Sequence, residues 1–160
     1  MANERFERTL VILKPDALQR GLIGEIISVF EKKGLKIVAM KMEKLDREIL
    51  EKHYAEHKGK PFFESLVSFM SSGPVVLAVI EGIDAIKVVR KLVGATNGRE
   101  AEPGTIRGNY SMSQQNNLVH ASSDSAVAER EIKLFFSPKE ILSYERLDCF
   151  IYSKDELKGK

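Results

Sequence analysis

Val75-Val76-Leu77-Ala78-Val79-Ile80-Glu81 follows the break Ser72-Gly73-Pro74, and this apolar run reads as a strand buried on both faces. Working outward from it, Thr9 to Lys14 (TLVILK) is a second buried strand, rich in β-branched residues and closed by Pro15. From Ile37 to Glu43 the residues alternate, with Val38, Met40 and Met42 on one side, which predicts a half-buried strand. Leu118 to Ala121 supplies a last, short one. Between these strands, Ile23, Ile26, Ile27 and Phe30 recur at helical spacing ahead of Gly34. Asp46 is placed to cap a charged helix running to about Glu56. Pro61 opens a second helical segment to Met70, on which Phe62, Leu66, Phe69 and Met70 share a usable spacing. Asp84 is expected to cap a helix whose Ala85, Ile86, Val89 and Leu92 face inward before Gly94. Residues 95–116 show no helix or strand pattern, and a loop of that length in a compact domain points to function or disorder. Ala126 to Phe136 reads as the last helix, and Ser137-Pro138 opens a C-terminal extension. Without the inserted helical pair the order is βαββαβ, which predicts an α+β, ferredoxin-like sandwich on a four-stranded antiparallel sheet. Such domains host many functions, so the fold names none.

The chain has 160 residues, 43% apolar and 30% charged, which fits a single domain over 1–160 with a core that needs no staples. A lone cysteine, Cys149, excludes an internal disulfide and a cysteine-rich zinc cluster. The net charge is +2 and the basic residues are scattered, so nucleic acid is not an expected partner. Any anion site must be assembled locally by the fold. The first residues, Met-Ala-Asn-Glu-Arg-Phe-Glu-Arg, hold no apolar leader core, and no apolar run approaches the ~20 residues that span a bilayer. Lys154-Asp155-Glu156-Leu157 is followed by Lys158-Gly159-Lys160 and so does not read as a terminal retention signal. A cytoplasmic protein without a membrane partner is the expectation.

His120 lies at the end of the long loop, between Leu118-Val119 and the small residues Ala121-Ser122-Ser123, which leave an imidazole approachable. On its own, a histidine near a strand end is more often structural than nucleophilic. Its surroundings shift that balance. Pro103-Gly104-Thr105-Ile106-Arg107-Gly108 puts an arginine fork on a turn, where it suits a phosphate. Asn117, on an extended segment, is within reach of a sugar hydroxyl. Glu131 on the last helix would orient the imidazole if that helix packs back on the strand. By pattern alone, however, a surface pair with Arg130 or Lys133 is the commoner fate for Glu131. Three histidines spread along the chain carry no metal-binding signature, so a zinc site has little weight, and His53 reads as structural or solvent-facing.

Asn117-Leu118-Val119-His120-Ala121-Ser122 resembles the active-site signature of the nucleoside diphosphate kinases. In order along the chain, Lys14-Pro15-Asp16-Ala17 resembles the family's first-strand lysine motif, Arg20-Gly21-Leu22-Ile23-Gly24 the start of its first helix, and His53-Tyr54 with Pro61-Phe62-Phe63 the helical pair of its nucleotide cleft; Ser72-Gly73-Pro74-Val75-Val76 and the Pro-Gly-Thr-Ile-Arg-Gly run also match. The resemblance covers the chain from Thr9 to about Pro138. It implies ping-pong transfer of a γ-phosphate between nucleoside tri- and diphosphates, with His120 phosphorylated in its pros position (Nδ1) and broad base tolerance. It implies that Lys14, Arg90 and Arg107 neutralise phosphates, with a hydroxyl from Thr96. Tyr54 would set the lysine and the transferred phosphate, and Ser122 would hydrogen-bond Glu131. Asn117 and Lys14 would hold the ribose; Phe62 would stack on the base, with Leu66 beneath it and Gln114 at its other edge. His57 falls where some members place a phosphate-contacting histidine. Mg²⁺ would ride on the phosphates, with no ligand from protein side chains. Members assemble as hexamers or tetramers, so a homo-oligomer is expected, the hexamer preferred, with the long loop and the C-terminal extension as candidates for its contacts.

The family's His-(Gly/Ala)-Ser-Asp-Ser becomes His120-Ala121-Ser122-Ser123-Asp124-Ser125, which shifts Asp124 by one position. That leaves open whether Ser123 or Asp124 caps the last helix, and a rotated helix would turn Glu131 away from His120. No Gly-x-x-x-x-Gly-Lys-(Ser/Thr) loop is present. Two other classes compete: a silent nucleotide- or nucleic-acid-binding regulator of the same fold, and an RNA-binding sandwich, whose aromatic sheet face is missing.

Overall fold

The computed structural model describes residues 6–158. The expectations that concern residues 1–5 and Gly159-Lys160 fall outside them. Four strands, β1 (Phe6–Leu13), β2 (Lys36–Glu43), β3 (Val75–Ile83) and β4 (Val119–Ala121), form one sheet in the order β2-β3-β1-β4. Every pairing is antiparallel, as the βαββαβ order predicts. Because β1 and β3 are central, alternate side chains enter opposite cores. Leu10, Ile12, Val75, Leu77 and Val79 face one layer; Val11, Leu13, Val76, Ala78 and Ile80 face the other.

The first layer is closed by α3 (Arg47–His53), α4 (Phe63–Ser71) and α7 (Ser125–Phe135), through Leu50, Phe63, Val67, Met70, Ile132 and Phe135. Opposite it lie α1 (Pro15–Gln19), α2 (Ile23–Lys32), α5 (Ala85–Val93) and α6 (Ile106–Tyr110), through Ala17, Ile26, Phe30, Val89 and Ile106. Each fully buried Leu, Ile or Phe contributes roughly 1.5–3 kcal/mol, so the doubly covered central strands are the stable frame on which the rest hangs.

Several expectations need correcting. Pro15 does more than close β1: with no N–H to lose, it starts the short helix α1. Pro61 stands outside α4, in the turn before it. Residues 95–116 are not helix-free, because Thr105 accepts a hydrogen bond from the Gly108 N–H and caps the single-turn α6. Asp84 adopts a left-handed conformation (φ +51°) without capping α5; Glu7 accepts the Ile86 N–H instead. On α5 itself Val93 joins the buried face, with Leu92 half-buried against the same core. Met40 and Met42 are exposed. The β2–β3 register steps from Ile37↔Ile80 to Ala39↔Val79, so Val38 is an extra residue and every side chain after it changes face.

From Ser137 onward the chain runs back along β2, the outer strand. Leu142 N–H donates to the Val38 carbonyl (2.8 Å), the Tyr144 hydroxyl to that of Ile37 (2.7 Å), and Arg146 to those of Leu35 and Gly34. Farther on, the Ile83 N–H donates to the Tyr152 hydroxyl, and the described residues end in α8 (Lys154–Lys158). Gly34 is required twice over: its φ is +97°, and a Cβ there would stand 2.6 Å from Ile151 Cγ2.

Candidate active site

His120 sits at the centre of β4, paired with Ile12 of β1, so a central strand of the sheet holds its backbone. Its Nε2 lies 3.0 Å from both carboxylate oxygens of Glu131. Asp124 caps α7 by accepting the Val127 N–H, which keeps the helix in register and turns Glu131 inward. The extra serine therefore leaves the geometry intact, and the surface pairing considered for Glu131 is overturned. Glu131 is 3% exposed; Lys133 pairs with Glu129, and Arg130 approaches Glu56. Ser122 donates to Glu131 Oε2 at 2.6 Å, as the resemblance implied. Burial alone would raise the Glu131 pKa, but hydrogen bonds from His120 and Ser122 outweigh it and hold the carboxyl below its usual range. A carboxylate accepts and does not donate, so Nε2 is the ring nitrogen placed to carry a proton toward Glu131, and Nδ1 is the one left for another partner.

Three cations line the same cleft as His120. Lys14, at the end of β1, donates to Asn117 Oδ1 (2.7 Å) and more weakly to the Gln115 carbonyl. Burial, reinforced by Arg107, lowers its pKa to about 8. Arg107 is locked by the carbonyls of Asn117, Gly94 and Val119, and burial followed by Arg90 brings it down to about 10. Arg90 reaches the Ala121 carbonyl from α5. Asn117 donates to the carbonyls of Thr96 and Gln114, so its amide is fixed from both ends. Leu118 takes φ +73°, costly for a leucine. The turn is held open by two bonds: Leu118 N–H to Asp16 Oδ2, and Lys14 N–H to the Leu118 carbonyl.

The helical pair forms the opposite wall. Lys14, Tyr54, His57, Phe62, Leu66, Arg90, Thr96, Arg107, Gln114, Asn117, His120 and Glu131 all line one open cleft of about 680 Å³. Ser122 stands just behind it. Phe62 is 45% exposed while its neighbour Phe63 is buried, so Phe62 is not a core aromatic but a free ring at the mouth. Tyr54 packs on His53 and stacks on His57; Lys14 bonds to Asn117 and Gln115, not to Tyr54.

His53 is the residue that sequence reading missed. It is 3% exposed, its ring centroid is 4.7 Å from that of His120, and its Nδ1 is 3.6 Å from Glu131 Oε1. Burial, then the neighbouring His120, depresses its pKa to about 3, so it is neutral. The solvent-facing reading is wrong because Tyr54 and Phe135 enclose the ring. Asp16 was quoted as part of a motif without a role, and its hold on Leu118 is that role. Neither contact is visible in a linear sequence.

A histidine held through one ring nitrogen by a buried carboxylate, sharing its cleft with two buried cations, Arg90 and an exposed aromatic ring, is the site of a phosphotransferase that works through histidine on a nucleotide. Comparison with known proteins narrows the class. The family model for nucleoside diphosphate kinase matches residues 7–141. A nucleoside diphosphate kinase of Pyrococcus furiosus is 57% identical over 156 residues, covering 95% of this chain and 97% of its own. The nucleoside diphosphate kinase of Halobacterium salinarum in complex with CDP superposes with a TM-score of 0.90 at 49% identity, over 92% of this chain and 99% of that one. That of Borrelia burgdorferi, a transition-state mimic with vanadate and ADP, gives 0.85 at 42%, over 90% and 95%. This chain belongs to the nucleoside diphosphate kinase family. It is an enzyme, moving the γ-phosphate of a nucleoside triphosphate to a nucleoside diphosphate by a ping-pong route through a phosphohistidine. The silent-regulator reading is not favoured.

Proposed function

We propose that His120 is the phosphate carrier and that the surrounding residues hold the roles their positions suggest. The observation that carries this reading is the bond from His120 Nε2 to Glu131, which leaves Nδ1 as the nucleophile. Nδ1 attacks the γ-phosphorus, the bond to the β–γ bridging oxygen breaks, and the diphosphate leaves with that electron pair. Glu131 offsets the positive charge of the phosphoimidazole, and Ser122 keeps the carboxylate aligned. A terminal phosphate oxygen of the acceptor then attacks the same phosphorus and returns the lone pair to Nδ1. Lys14, Arg90, Arg107 and Thr96 receive the charge spread over the phosphoryl oxygens, the main lever in this chemistry. Tyr54 and His57 flank the phosphates, and Asn117 with Lys14 takes the ribose. Phe62 stacks on the base between Leu66 and Gln114.

Stacking is indifferent to base identity, which suits broad tolerance. The relatives above hold a pyrimidine nucleotide in one case and a purine in the other. Mg²⁺ is expected to arrive with the nucleotide, where it neutralises phosphate charge. The acids lining the cleft are Glu56 and Glu131, too few carboxylate oxygens for a magnesium cage, so the donor set fits a phosphate-borne Mg²⁺. The chain is read as one domain over 1–160 and as a cytoplasmic homo-oligomer, a hexamer before a tetramer, with neither membrane nor nucleic acid as partner. Sedimentation equilibrium decides the subunit number. Incubation with γ-labelled ATP and Mg²⁺ tests the chemistry: acid-labile label should appear and be chased by GDP. Equal labelling of His120→Asn would sink the assignment.

A further inference from the structure

His53 poses a problem that the transfer reaction does not solve: it is almost fully buried, yet neither ring nitrogen makes a hydrogen bond. A buried polar atom without a partner costs about 1–3 kcal/mol, which calls for a reason. Its neighbours supply one. One ligand atom from each of His53, His120 and Glu131 falls within 4.8 Å of the others. The separations to the Glu131 carboxylate are 3.0 Å from His120 Nε2 and 3.6 Å from His53 Nδ1. On Zn–N and Zn–O bonds of about 2.1 Å these subtend angles of about 90° and 120°, bracketing the tetrahedral value. The two imidazole nitrogens fall within the same 4.8 Å, and His120, 22% exposed where His53 and Glu131 are enclosed, is the side chain with room to close on a shared ion.

We propose that His53, His120 and Glu131 form an inhibitory site for an imidazole-binding divalent metal such as Zn²⁺, distinct from the metal that accompanies the nucleotide. Two neutral imidazoles and one carboxylate, with an open fourth position toward the cleft, form a donor set that zinc favours over magnesium. The metal takes the place of the proton between His120 Nε2 and Glu131. That proton moves to Nδ1, so the imidazole stays neutral with no net proton released. Its tautomer is now inverted, and the nitrogen facing the cleft has lost its lone pair. Zinc and a phosphate on Nδ1 therefore exclude one another, because phosphohistidine keeps its proton on Nε2. By linkage each weakens the other by the same factor.

The test begins without nucleotide. Isothermal titration of the full chain with Zn²⁺ alone should give one site per chain. His53→Gln and Glu131→Gln should each weaken it at least tenfold, while His57→Gln, in the same cleft, should not. Nitrogen-15 spectra of the His120 ring should show the proton moving from Nε2 to Nδ1 on Zn²⁺ addition. Protein already phosphorylated by ATP and freed of nucleotide should refuse the metal, and Zn²⁺ should block uptake of label reversibly on chelation. Undiminished binding by both Gln variants, no binding at all, or an unchanged His120 tautomer under saturating Zn²⁺ overturns the proposal. Only the inhibitory consequence rests on His120 as nucleophile. Failure to label with ATP would strike that reading while leaving the nucleotide-free titration to judge the metal site.

Discussion

Lys14 is pulled two ways at the scale of a single residue. Burial and the nearby Arg107 lower its pKa to about 8, close enough to neutrality for ordinary changes of pH to discharge it. The folded value lies below the 10.5 of the unfolded chain, so below about 8 the full burial penalty is present. It is relieved as pH rises from about 8 toward 10.5, because the folded state gives up its proton first. At 1.36 kcal/mol per unit that penalty is on the order of 3 kcal/mol. Function moves the other way, since the phosphate contact is lost with the charge. The expected outcome is that kcat/KM falls above about pH 8, by at most tenfold per unit, while wild type gains stability against Lys14→Gln over the same range. Steady-state kinetics and urea titrations of both proteins check it; parallel profiles would show that Lys14 titrates elsewhere. Lys14, Arg107, Asn117 and His120 were legible in the sequence because each stands in a short local pattern. His53 and Asp16 were not, since their meaning comes from partners brought near only by the sheet and the helical pair.

At the scale of elements, α7 was the exposed point of the sequence reading. An additional serine after Ser122 left its cap and its rotation open, and Asp124 resolves both by taking the N-cap position. Asp124→Ala should lower stability by about 1 kcal/mol and leave kcat/KM within a few-fold. Ile132 and Phe135 still bury the helix, and Glu131 still bonds to Ser122 and His120. Asp124→Ser should recover most of the loss. Denaturant midpoints with parallel kinetics decide between this and the alternative, in which the cap sets the rotation of α7 and activity collapses with it. The central strands were readable because a sheet covered on both faces demands continuous apolar runs. β2 was misread for the opposite reason: one bulged residue inverts an alternation that looked sound. α6 escaped notice because a single turn has no period to detect, and its evidence is a Thr105 cap rather than a hydrophobic pattern.

The molecule as a whole has one vulnerable edge. β4 ends the sheet on the side of the cleft, whereas β2 ends it on the far side, where a bare outer strand would offer its pairing groups to another chain. The C-terminal extension covers that edge, laying Leu142, Tyr144 and Arg146 against the carbonyls of residues 34–38 without continuing the sheet. These bonds are far from His120, and the residues lining the cleft end at Glu131. Deleting everything after Ile141 should therefore separate stability from catalysis. Each hydrogen bond contributes about 0.5–1.5 kcal/mol net, so losing these four and the bond from the Ile83 N–H to Tyr152 should lower the thermal midpoint by several degrees. Well below that midpoint, kcat/KM should match the full chain within about twofold, because β1, β4 and α7 keep their packing. Calorimetry and steady-state assays at one protein concentration provide the comparison. An unchanged midpoint would mean that the extension merely lies on β2. A fall in kcat/KM at low temperature would mean that strain at the far edge reaches β4 through the sheet, making the extension part of the machinery that aims His120.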